Sequence, residues 1–108
     1  MKTIELTGSA LDWAAAKCEK PVKGYKPWVQ KDLDIGVLHG MHYSTDWLWS
    51  GPIIERERIT IDAGQHGALW IARKGAHECI GPTPLIAAMR CYAASKLGDT
   101  VDVPPELQ

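Results

Sequence analysis

The sequence contains no phenylalanine, although five tryptophans and three tyrosines lie among its 108 residues. Its large aromatic side chains each bring a polar atom. They suit half-buried positions and recognition surfaces better than the dry centre of a core. Excess charge of either sign is also absent, since 12 basic and 13 acidic residues leave a formal charge of −1. Duplex nucleic-acid binders draw much of their affinity from neutralised phosphates, so this balance argues against that class. Cysteine is scarce and odd in number: the three present include no close pair. That excludes a disulfide framework and points to reduced thiols in a cytoplasmic setting. No apolar run approaches the ~18 residues a membrane span needs. The opening MKTIELTGSALDW lacks the apolar stretch of a signal peptide.

What remains is ordinary globular material, 45% apolar and 23% charged, long enough for one domain with one core. TGSALDWAAAKCEKP predicts a first helix, capped by Thr7 or Ser9 and stopped by Pro21. Leu11, Ala14, Ala15 and Cys18 gather on one side; Asp12 and Glu19 point away, and Trp13 falls on a flank under the lysine stems. Residues 20 to 42 are broken by prolines and glycines into turns, with a short strand at 35 to 38. YSTDWLWS reads as a loop, after which GPIIERER opens a short third helix with Pro52 at its first position.

Alternation predicts two antiparallel strands, about 58 to 62 and 68 to 73, joined through Gly64 and Gly67. The clearest element is GPTPLIAAMRCYAASKLGD. Thr83 is placed to cap it, Pro84 to start it and Gly98 to end it. Leu85, Ile86, Met89, Tyr92, Ala93 and Leu97 form an apolar arc, and Ala87, Cys91 and Ala94 a second side of small residues. Such a helix touches protein on both sides. VDVPPEL predicts a short edge strand ended by its prolines. The expected architecture is α+β: a small antiparallel sheet packed against two main helices.

Three segments carry a resemblance: ELTGSALDWAAAKCE at 5 to 19, YSTDWLWSGPIIERE at 43 to 57, and GPTPLIAAMRCYAASKLGDTVDVPPEL at 81 to 107. Together they resemble the NinX-like family, a domain of unknown function encoded by tailed phages and prophages. The last block is the most specific. In the middle block the match runs through Ser44, Thr45, Asp46, Trp47, Gly51, Pro52, Ile53, Ile54 and Glu55. The resemblance implies a phage origin, among early or recombination-region genes, and a host-cell setting. It implies no catalytic set.

The densest charged group is Asp46, Glu55 and Glu57 with Arg56 and Arg58. Paired carboxylates can bind a metal or exchange a proton, but alternating acid and base is equally the pattern of a solvated ion-pair run. His39-x-x-His42 and His77-x-Cys79 do not match zinc spacings, and Cys18 and Cys91 read as small core residues. No catalytic residue, metal ligand or cofactor is therefore assigned. Trp47, covered by the resemblance, is expected to anchor the loop, leaving Trp49 for contact. Asp46, Glu55 and Arg56 join it as candidate binding residues. Tyr25 and Trp28, among Lys17, Lys20, Lys23, Lys26 and Lys31, offer an aromatic-basic surface. The leading expectation is a noncatalytic phage accessory protein that binds another protein, one supplied by the host. Alternatives are a single-stranded nucleic-acid binder, or a small hydrolytic enzyme using Asp46, Glu55 or His42. A homodimer using Trp49 is a further expectation.

Overall fold

The computed structural model describes residues 1–19, 42–64 and 69–108. In chain order these form a 3-10 turn (Thr3–Glu5), α1 (Gly8–Cys18), α2 (Trp47–Glu57), β1 (Thr60–Ala63), β2 (Trp70–Lys74), β3 (His77–Gly81), α3 (Pro84–Leu97) and a second 3-10 turn (Pro105–Leu107). The strands lie in the order β1-β2-β3, each antiparallel to the next. The described residues thus form an α+β fold, with three helices and a three-stranded sheet. Among the described residues no helix is long and apolar enough to cross a membrane. The strand expected at 35 to 38, the stop at Pro21, and Tyr25, Trp28 and His39 lie outside the described residues.

α3 is the central element. Thr83 Oγ1 accepts the Ile86 N–H at 3.1 Å, Pro84 opens the helix, and Gly98 closes it with φ 86°. One side lies against β2 and β3, and the other against α1. Met89 and Tyr92 are enclosed between these layers, at 0% and 1% exposure. The sheet meets the helix through small residues: register aligns Ile61 with Ala72 and Ala72 with Cys79 on the inward row. At Gly81 the approach is closest. A Cβ there would stand 2.7 Å from the Ala87 backbone nitrogen, a separation that only glycine permits.

The structure corrects several sequence expectations. α1 is buried nearly all round, including Asp12, expected to point away, and Trp13, expected on a flank. The reason is a second cover: the turn at Tyr43–Thr45 lies over α1, and its Ser44 N–H donates to Asp12 Oδ1 at 2.7 Å. Thr7 occupies the cap position but makes no side-chain bond there, and Ser9 is inside the helix.

α2 starts at Trp47, not Pro52. The Asp46 side chain accepts the Leu48 N–H at 2.9 Å, so the hydroxyl-rich "loop" is a helix cap. Pro52 sits inside this helix on an exposed side, where the Leu48 carbonyl it leaves unpaired can face water. Arg58 ends α2 in the left-handed region at φ 53°. Its N–H donates to Glu55 O while Ile59 N–H reaches Ile54 O at 3.0 Å. This is a Schellman closure with arginine where glycine is usual.

His77–Gly81 is a strand that alternation did not reveal. The C-terminal segment, expected as an edge strand, makes one antiparallel bridge, Lys2 with Thr100, before turning at its prolines. The bridge is reinforced by Thr3 Oγ1 donating to Gly98 O at 2.6 Å and Val101 N–H to Met1 O at 2.9 Å.

Candidate functional site

The three described helices deliver charge to one place. Glu19 follows the last turn of α1, Arg56 and Glu57 are the last turn of α2, and Tyr92 and Lys96 stand one turn apart on the same side of α3. With Cys18 they line a cavity of about 300 Å3. The Arg56 guanidinium grips Glu19 through both terminal nitrogens, at 2.6 and 3.3 Å, and Glu57 through Nε at 2.9 Å. Glu57 also faces Lys96 Nζ at 3.4 Å and Lys74 Nζ at 3.7 Å. Tyr92 Oη donates to Glu19 Oε2 at 2.7 Å and accepts from Arg56 at 3.2 Å. The arginine also lies 5.9 Å from the tyrosine ring centre.

This geometry fixes protonation. Hydrogen bonds from Arg56, then Lys96, hold the Glu57 carboxyl below its ordinary value. The hydrogen bond to Glu19, followed by that to Glu57, raises Arg56 still further. Burial, with Glu19 adjacent, pushes Tyr92 up, and burial pushes the Cys18 thiol up to about 12. At neutral pH the Glu57 carboxylate is therefore bridged to cations, and the phenol and the thiol keep their protons. None is poised as a base or nucleophile. What the arrangement does well is tie α1, α2 and α3 together through charge-assisted bonds.

Of the expected binding residues among the described ones, only Arg56 belongs to this cluster. Asp46 is occupied as the α2 cap, and Glu55 is exposed; neither they nor His42 line the cavity. The two tryptophans exchange the roles expected of them. Trp47 is 55% exposed, whereas Trp49 packs on the core with its ring edge-on to Tyr43 at 5.2 Å. The expectation treats this stretch as a loop, whereas it is the first turn of α2. On a helix, residues two apart point in nearly opposite directions, so one faces in and one out. Trp49 is thereby removed as a contact residue and Trp47 as an anchor.

Leu48, beside Trp47, is 79% exposed. Glu19 and Lys96 carry no site expectation from the sequence, Glu57 figures there only in the charged run, and Tyr92 only in the core. The i, i+4 spacing of Tyr92 and Lys96 was the one local signal. Asp12 was also missed as a buried anchor.

A second depression, of about 440 Å3, is lined by Ile4, Glu5, Glu78, Cys79, Ile80 and Arg90. Arg90 donates to Leu6 O at 2.8 Å and to Ile80 O at 2.9 Å, so the outer edge of β3 is capped by a side chain. His77 begins that strand and is exposed. Among the described residues no three His, Cys, Asp or Glu side chains converge as metal ligands would.

No curated protein matches this chain. A family model described as Bacteriophage P22, NinX matches residues 2–96, a span that takes in α1, α2, the described sheet and α3 but for its last residue, and the chain belongs to that family.

Proposed function

We propose that this phage accessory protein is a noncatalytic binding module, acting in the host cytoplasm, that docks a partner protein through the start of α2. The observation that carries this reading is the adjacent pair Trp47 and Leu48, 55% and 79% exposed on a helix whose opposite side is fixed in the core. A tryptophan on a rigid element is the commonest kind of interface anchor, because enclosing it gains much apolar area at little entropic cost. The Arg56 cluster supports the noncatalytic half of the proposal, since its acids are bridged to its bases. The partner's matching surface is a shallow apolar pocket with a polar rim.

The test is a photo-crosslinking residue placed at position 48, compared with one at the exposed position 55, in infected cells. Position 48 is expected to capture a defined protein, and Trp47→Ala is expected to abolish that capture with the fold intact. Equal capture from both positions, or capture indifferent to Trp47→Ala, overturns the proposal. Capture of a second copy of the chain alone turns it into a homodimer surface.

A further inference from the structure

The close approach of Gly81 to Ala87 has a repeat. β3 and α3 run in opposite directions from the turn at Pro82 and Thr83. Two residues back along a strand cover about 6.8 Å, and four residues forward along a helix about 6 Å. Both steps return to the same face. The contact one step beyond Gly81 and Ala87 is therefore Cys79 against Cys91. Each is enclosed, at 5% and 0% exposure, and both belong to the same core cluster. Cys91 Sγ also stands 3.5 Å from His77 O, at the next position along the same row. Both cysteines are free.

We propose that Cys79 and Cys91 form a redox-active dithiol that exchanges with a low-molecular-weight disulfide and closes into a bond stapling β3 to α3. Cys79 is the entry thiol, because it lines the depression beside Ile4, Ile80 and Arg90, whereas Cys91 is fully covered. The neighbouring Cys91 thiol, with the Arg90 charge nearby, favours the Cys79 thiolate; the Cys79 neighbour and burial keep the proton on Cys91.

Cys79 loses its proton to solvent and attacks one sulfur of the small disulfide. Its S–S bond breaks, and one half leaves as a thiolate that takes up a proton. Cys91 then loses its proton and displaces the second half from Cys79. The protein pair is oxidised by two electrons and the reagent is reduced to two thiols. Glu5 and Glu78 flank the opening, so an uncharged disulfide enters faster than the anionic glutathione disulfide.

The experiment exposes the folded chain at neutral pH to bis(2-hydroxyethyl) disulfide, blocks remaining thiols and digests with trypsin. The expected product joins the peptide spanning 75–90 to that spanning 91–96. In Cys91→Ser the reaction is expected to stop at a mixed disulfide on Cys79. Glutathione disulfide is expected to give the same crosslink more slowly. Cys79 and Cys91 both surviving as thiols while Cys18 reacts would overturn the proposal, as would an adduct held on Cys91. Should Cys91→Ser fail to fold, the peptide map of the native chain decides alone.

Discussion

Asp12 is the buried group whose removal tests the packing argument most directly. Its carboxylate is 6% exposed and takes the N–H of Ser44, itself 2% exposed, at 2.7 Å. Asp12→Ala leaves that N–H enclosed without a partner, a cost of about 1–3 kcal/mol. Unfolding entropy for a chain of 108 residues makes 1 kcal/mol worth about 4 °C of midpoint, so the loss is about 4–13 °C. Asp12→Asn behaves differently. Burial, outweighing the Ser44 bonds, raises the Asp12 carboxyl above its ordinary value, so the charge itself is a burden there.

The amide keeps an acceptor for Ser44 without the charge, and its midpoint at pH 7 is expected within about 1 kcal/mol of the parent. The pH dependence has a definite sign. Between the ordinary carboxylate value and the raised one, the folded state holds more protons than the unfolded state. Asp12 thus makes stability fall as pH rises through that window. Asp12→Asn should erase that fall. Thermal melts of the parent and both variants from pH 4 to 8 measure it. If the asparagine variant is as damaged as the alanine one at pH 7, the charge is needed and the reasoning is wrong.

Trp49→Ala is expected to cost about 2–4 kcal/mol through lost core packing, and Trp47→Ala less than about 0.5 kcal/mol; melts of the pair would expose a reversed assignment. Met89→Asp places a carboxylate at 0% exposure and is expected to abolish folding; a cooperative transition at the parent's midpoint would remove α3 from the centre of the core. Glu57, with its carboxyl held low, contributes stability that is present above the ordinary carboxylate range and lost as pH falls through its folded value. Glu57→Gln should therefore flatten the acid side of the stability curve, with a loss under about 1 kcal/mol at neutral pH, since the ion pairs are partly solvated. High salt should shrink the difference between that variant and the parent.

α3 was legible from its sequence because every local rule agrees there: Thr83 caps, Pro84 starts, Gly98 ends, and large and small residues divide between two sides. β3 was not, and the reason is chemical. Its inward positions are Cys79 and Gly81, and glycine is depleted in strands. The small size that hides the strand from an alternation test is what lets α3 approach it. α2 was half read. The sequence places a helix here, but the stretch before the Gly51-Pro52 pair reads as a loop and that pair takes the helix start. Proline does suit that place, but here it lies on an exposed side inside a helix already begun.

The cavity beside Arg56 shows why a site can be hidden in a chain whose elements are mostly readable. Glu19 and Arg56 are 37 residues apart in sequence, and Glu19 and Tyr92 are 73 apart. No spacing rule connects them; only the packing of α1 and α2 beside α3 brings them within hydrogen-bond distance. In the sequence Glu55 and Glu57 belong to one dense charged run. The helix separates them, leaving Glu55 in solvent and turning Glu57 toward Lys74 and Lys96. The same rotation turns Trp47 outward and Trp49 inward. One secondary-structure assignment thus decides which acid joins the cluster and which tryptophan remains for a partner. Changing the role of either tryptophan without changing that of Glu57 would require a different α2.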